Sequence, residues 1–162
     1  MKYKVTDRVL AIGDDSWIED ESGHRVFLLD GKSLRLRQTY ELKDPDGTVL
    51  AVIRKKAVAL RETMLVERDG HTLATVHKKV IHLIHDRFAI DLHEGGDWTA
   101  KGDFLDKEYE IEGERGTVAQ ITRKWLRLRD TYTVEVMTGY DVPLVLALAV
   151  AVDALAEVDH DH

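Results

Sequence analysis

Histidine, arginine, serine and carboxylate are the side chains of this sequence with chemistry to offer, and their spacing limits what each can do. His71, His77, His82, His85 and His93 crowd into one stretch. In strands, His82 and His85 point to opposite faces, because an odd separation reverses the side chain. His71 and His77 share a face but lie about 20 Å apart along an extended chain. There is no cysteine to complete a zinc set of four, so these histidines read as surface or satisfied core residues. No metal or cofactor site is expected. His160-Asp161-His162 sits in a terminal tail, a poor preformed site. The three serines, Ser16, Ser22 and Ser33, lie outside any Gly-x-Ser-x-Gly elbow. Neither a phosphate loop nor a G-x-G-x-x-G fingerprint occurs. No cleft is marked that would shift one carboxyl of an acid–base pair. These absences point away from an enzyme.

The basic residues form the best candidate site. On an extended strand Arg123, Trp125, Arg127 and Arg129 share one face, and Leu126 and Leu128 the other. Arg35 and Arg37 repeat the stripe against Leu34 and Leu36. With the leucines inward, the arginines face out. Arginine grips phosphate with a planar fork, and tryptophan suits a lipid headgroup boundary. The expectation is an anion-binding or membrane-surface patch of Arg35, Arg37, Arg123, Trp125, Arg127 and Arg129. The competing expectation is internal pairing with acids such as Glu41, Glu62 and Glu135. A formal net charge of -7 favours that pairing and argues against general nucleic-acid binding.

The elements that must carry these residues are mostly strands. Turn signals fall at Asp20-Glu21-Ser22-Gly23, Asp44-Pro45-Asp46-Gly47, Arg68-Asp69-Gly70, Glu94-Gly95-Gly96-Asp97 and Gly113-Glu114-Arg115-Gly116. Between them apolar and polar residues alternate, as in Tyr132, Val134 and Val136 against Thr133 and Glu135. Tyr40-Glu41-Leu42, Gly47-Thr48-Val49 and Arg54-Lys55 recur 69 residues later as Tyr109-Glu110-Ile111, Gly116-Thr117-Val118 and Arg123-Lys124. After a one-residue slip, Arg61-Glu62-Thr63 and Val66-Glu67 recur as Arg129-Asp130-Thr131 and Val134-Glu135. The repeat predicts two related halves closing one barrel, with 40–55 matching 109–124 in register. Closure removes exposed edges.

Val142 to Val152 breaks the pattern: eleven residues, apolar on every side. Asp141 suits a helix cap and Pro143 a first turn. A helix apolar all round is buried all round or sits in lipid. Eleven residues are too few for a span of about 20. The barrel is therefore expected to enclose a helix over about 142–157. The single domain covers 1–158, with 159–162 a polar tail. At 162 residues, 44% apolar and 33% charged, the chain suits one domain with a sizeable core. The missing cysteines and the charged, alternating N-terminus predict a cytoplasmic protein rather than a secreted or transmembrane one.

The sequence resembles the LURP-one-related family, whose fold is similar to the Tubby C-terminal domain and to phospholipid scramblases. The resemblance rests on an opening strand with Trp17 before the hairpin 18–27. It rests also on hairpins whose strands end near Lys55, Lys78 and Lys124, and on Tyr140-Asp141-Val142-Pro143 leading into the apolar helix. It covers nearly the whole chain. It implies a mainly β fold: a closed antiparallel barrel of about twelve strands around a hydrophobic C-terminal helix. Tubby-like members bind membrane phosphoinositides through basic surface residues, so it also implies a non-enzymatic binding module. Anionic phospholipid or a protein is its expected partner. The alternatives are a structural or regulatory scaffold without a small ligand, and an enzyme of unrecognised type.

Overall fold

A computed structural model describes residues 1–6, 15–34, 37–56, 61–79, 87–123 and 131–161. Twelve antiparallel strands close into one barrel. They are β1 (Lys2–Thr6), β2 (Asp15–Glu19), β3 (Arg25–Leu34), β4 (Arg37–Lys43), β5 (Val49–Lys55) and β6 (Thr63–Arg68), then β7 (His71–Lys79), β8 (Arg87–Leu92), β9 (Asp97–Asp103), β10 (Glu108–Gly113), β11 (Gly116–Thr122) and β12 (Thr131–Val136). Each pairs with its neighbours in sequence, and β1 closes the ring on β12 through five residue pairs, Lys2↔Glu135 to Thr6↔Thr131. Trp17 lies on the second strand, β2, rather than on the opening one.

The core follows from the alternation. Tyr132, Val134 and Val136 point inward and are buried, while Thr133 and Glu135 between them are not. The same period places Tyr40 and Leu42, Ile53 and Ala51, Met64 and Val66, and Phe88 and Ile90 on the inner wall. They meet α1 (Val142–Asp161), which fills the barrel and ends four residues later than expected. Val145 to Val152 are each at most 2% exposed, whereas Leu144 is only half-buried at the entrance. Ala147, Ala149, Ala151 and Ala154 leave room for strands on every side, and burying each larger apolar side chain is worth about 1.5–3 kcal/mol.

The two halves are related, but not in the expected register. Tyr40 and Tyr109 are equivalent: each is buried, and each stands opposite a glycine of the preceding strand, Gly31 and Gly102. Gly102 is obligatory there, since a Cβ would lie 2.5 Å from the Glu108 carbonyl oxygen and 2.6 Å from the Tyr109 Cα. Across the hairpin, Tyr40 pairs with Ile53 and Leu42 with Ala51, while Tyr109 pairs with Ile121 and Ile111 with Ala119. The offset is thus 69 at β4/β10 but 68 at β5/β11 and onward, where Ile53↔Val66 matches Ile121↔Val134. The slip falls in the turn: five residues, 44–48, lie between the paired Lys43 and Val49, against four, 113–116, between the paired Glu112 and Thr117. Arg54 and Arg123 are therefore not equivalent: Arg54 corresponds to Thr122. Gly47 and Thr48 lie in the turn before β5, whereas Gly116, Thr117 and Val118 all lie in β11, so the two triplets do not share a strand position.

Alternating strands give the barrel two unlike ends. At one, five tight connections and the 137–141 segment lead into α1. At the other, odd-numbered strands end and even-numbered strands begin, and four of the six connections are longer, at seven or eight residues. The helix enters at the tight-turn end and points its C-terminus toward the other.

Candidate functional site

The predicted arginine patch falls largely outside the described residues: Arg35, Trp125, Arg127 and Arg129 all do. So do His82, His85 and the expected strand over 124–129. Arg37 begins β4, and Arg123 follows directly on β11. Arg123 is half-buried beside Glu108, which accepts hydrogen bonds from the Thr122 hydroxyl at 2.8 Å and the Arg123 backbone N–H at 3.2 Å. Five strand spacings separate β4 from β11 around the wall. With strands ~4.8 Å apart they face each other across an end on the order of 20 Å wide. Such a separation is too large for one phosphate and suits an extended surface. Among the described residues, two of the acids expected to brace the arginines bind lysines: Glu62 binds Lys55 at 2.6 Å and Glu135 binds Lys2 at 3.6 Å.

The charge carried by the connections differs between the ends. The tight-turn segments 20–24, 44–48, 69–70, 93–96, 114–115 and 137–141 contain eight carboxylates and one arginine. The opposite segments 7–14, 35–36, 56–62, 80–86, 104–107 and 123–130 contain nine lysines and arginines against six acids, although one of the nine, Lys107, is turned into the barrel and only 2% exposed. They also contain the apolar runs Val9-Leu10-Ala11-Ile12 and Ala57-Val58-Ala59-Leu60. Leu105, in the connection between β9 and β10, is 48% exposed.

Two further clusters were not anticipated from the sequence. Inside the barrel, Asp153 of α1 is 2% exposed and accepts hydrogen bonds from the hydroxyls of Tyr109 at 3.1 Å and Tyr132 at 2.7 Å. Lys107, also 2% exposed, lies 3.2 Å from Asp153 and 5.7 Å from the Tyr132 ring centroid. Lys107 reaches inward from the β9–β10 turn, where its φ of +57° is in the left-handed region. The signal was present in the sequence: an aspartate inside an otherwise apolar helix needs a buried partner.

At the tight-turn end a cleft of about 680 Å³ opens beside the helix entrance, and one of about 580 Å³ adjoins it. Leu92, Gly95, Trp98, Gly139 and Tyr140 line both. The Trp98 and Tyr140 rings meet edge to face, 5.6 Å apart at 84°. Gly113 admits the indole: a Cβ there would lie 2.9 Å from Trp98 Nε1. Asp141 caps α1 by accepting from the Leu144 N–H at 3.2 Å, and Arg68 holds the same carboxylate with two bonds of 2.9 and 3.2 Å. The Arg68 bonds hold the Asp141 carboxyl below its ordinary pKa, and the Leu144 N–H adds to the effect. His77 lies in the wall nearby in sequence but away from the cleft. Its pKa is depressed by burial first and by Arg61 second, against a smaller opposing pull from Asp91. Among the described residues no group of three or more His, Asp or Glu side chains is placed to hold a metal.

The twelve-stranded barrel around its own helix defines a known architectural class. The family model for LURP-one-related proteins matches residues 1–153, and the chain belongs to that family. It is 24% identical over 157 residues to the uncharacterised protein YxjI of Bacillus subtilis (strain 168), covering 97% of this chain and 94% of that one. A protein of Arabidopsis thaliana with a known X-ray structure shares the fold at a TM-score of 0.66 and 20% identity, over 98% of this chain and 90% of that chain. No helix among the described residues is long and apolar enough to cross a membrane.

Proposed function

We propose that the chain is a non-enzymatic binding module whose longer-loop end engages an anionic membrane surface. The observation that carries this reading is the grouping of connections. The strand ends flanking every candidate arginine open on the same end of the barrel, and the segments between them combine cationic and apolar residues. The connections at the opposite end carry eight carboxylates against one arginine. A barrel so divided would stand on an anionic surface by one end, with its net charge of -7 turned toward solvent. Attraction is worth about 1 kcal/mol per basic residue near such a surface. The patch Arg35, Arg37, Arg123, Trp125, Arg127 and Arg129 then acts as a ring of contacts rather than as a pocket. A non-enzymatic role is supported by the state of the buried ion pair, since Asp153 is engaged by Lys107, Tyr109 and Tyr132 at once.

The test is co-sedimentation with phosphatidylserine-containing and neutral liposomes at low and physiological salt. Wild type is compared with Arg123→Ala/Arg127→Ala/Arg129→Ala. Binding should be confined to the anionic vesicles, fall with salt and drop at least tenfold in the triple variant. Equal binding by the variant, or no binding at low salt, removes the patch and the membrane reading together.

A further inference from the structure

We propose that the cleft at the tight-turn end is a docking site for a cationic side chain, arginine or lysine, of a partner protein. This site lies at the barrel end opposite the proposed membrane contact and does not depend on it. The floor of the cleft is aromatic: Trp98 and Tyr140 hold each other edge to face, so two ring surfaces meet at right angles beside Leu92. Both rings are half-buried. A cation is attracted to such faces by the ring quadrupole, and tryptophan is the best of them.

The charge of the walls decides the sign of the ligand. Asp69, Glu94, Glu114 and Asp141 line the two adjoining clefts, against Arg68 and Arg115. Arg68 is committed to Asp141 through two hydrogen bonds, which cancels that pair and leaves three carboxylates facing one guanidinium. Glu94 and Glu114 are both exposed, and Glu114 reaches across the β8–β9 turn to within 3.5 Å of where a Gly96 Cβ would stand. An anion is disfavoured for a second reason. The helix N-terminus, the local source of positive potential, is already capped by Asp141. A flat apolar ligand would leave the carboxylates unused. An arginine or lysine lays its stem on the aromatic floor and brings its charge to Glu94 and Glu114. The acidity of the five surrounding turns draws a basic partner toward this end.

The experiment uses the full 15N-labelled chain and reads the Trp98 indole N–H resonance, assigned with Trp98→Phe. The probes are acetylated peptides Gly-Gly-Arg-Gly-Gly and Gly-Gly-Lys-Gly-Gly and the citrulline peptide, which keeps the shape of arginine without its charge. The cationic peptides should shift the Trp98 resonance saturably, with affinity falling as salt rises. Citrulline should bind at least fivefold more weakly. Glu94→Gln/Glu114→Gln should lose at least fivefold for arginine and nothing for citrulline, and Tyr140→Leu about two- to fivefold. Equal binding of arginine and citrulline, full affinity in the Glu94→Gln/Glu114→Gln variant, or no shift at millimolar peptide overturns the proposal. Glutamine at two exposed turn positions leaves the barrel folded, and an unchanged urea midpoint verifies this.

Discussion

Replacing Asp153 by alanine removes the carboxylate that stands 3.2 Å from the Lys107 ammonium, and both groups are about 2% exposed. Three losses coincide. The ammonium of Lys107 stays in the barrel without its carboxylate, and the Tyr109 and Tyr132 hydroxyls lose the acceptor they hold at 3.1 and 2.7 Å. Breaking a buried pair from one side costs about 3–5 kcal/mol. Each orphaned hydroxyl adds about 1–3 kcal/mol where water cannot reach it. Tyr109 retains a second acceptor, the Ala149 carbonyl at 3.4 Å, which trims its share. A loss of at least about 4 kcal/mol follows, a large part of a domain stability of about 5–15 kcal/mol. The assay is urea unfolding followed by tryptophan fluorescence. With a slope of about 2 kcal/mol/M, the midpoint should fall by about 2 M.

The informative comparison is a variant that removes the charges together. Lys107→Met/Asp153→Leu with Tyr109→Phe and Tyr132→Phe removes the two charges and the two hydroxyls together, and such replacements are often neutral or stabilising by about 1–4 kcal/mol. It should recover most of what Asp153→Ala loses. A loss below about 1 kcal/mol for Asp153→Ala, at an unchanged slope, would refute the reasoning: the cluster would then be reached by water. A quadruple variant no more stable than Asp153→Ala would mean that the helix depends on these polar contacts themselves for its position.

Other outcomes follow from single features. Gly102→Ala should cost at least about 2 kcal/mol in chemical denaturation, because the Cβ meets backbone at 2.5 Å and the φ of +137° disfavours a side chain. Leu148→Ala, at 0% exposure in the middle of α1, should cost about 2–5 kcal/mol, and truncation after Asp141 should abolish the cooperative thermal transition. His77 has a folded pKa below its ordinary 6.5. The unfolded chain therefore binds the proton first as pH falls: stability contributed above about 6.5 declines below it, and His77→Gln should flatten that part of the pH–midpoint curve. For Asp141, also depressed, the contribution is present above about pH 4 and lost as acid protonates the carboxylate in the folded state. Arg68→Ala should move that loss to higher pH.

Alternation and turn chemistry made most of the barrel legible in the sequence, because each strand buries one face and each turn carries an Asp or Gly that the backbone geometry requires. The helix was legible for the opposite reason: Val142 to Val152 has no polar face, so only an enclosure satisfies it. Its end was misjudged by four residues because polarity beyond Glu157 reads as a tail, although helical hydrogen bonding continues to Asp161. The repeat misled by one residue because Gly-Thr-Val serves the turn in one hairpin and the strand in the other. Only pairing partners distinguish 68 from 69. Asp153 stands out inside an apolar helix, but its partner Lys107, 46 positions away, looks like an ordinary surface charge in a chain one-third charged. Nothing local distinguishes a lysine that turns inward from a left-handed turn position. Trp98 and Tyr140 are similarly remote, and only closure of the barrel brings them to one rim.

Filling the barrel with its own helix has a consequence for where binding takes place. In a small hollow barrel the interior holds the ligand. Here Val145 to Val152 occupy that space, and the polar groups that do enter, Lys107 and Asp153, satisfy one another. The strands are exposed only along their outer faces, where Lys4 with Glu19, Lys43 with Asp30 and Lys101 with Glu112 pair across neighbouring strands. That leaves the two ends, where the backbone turns. On the proposed reading, binding on this scaffold is carried by connections rather than by strands, with acids and aromatics around the helix entrance and the cationic segments at the opposite end.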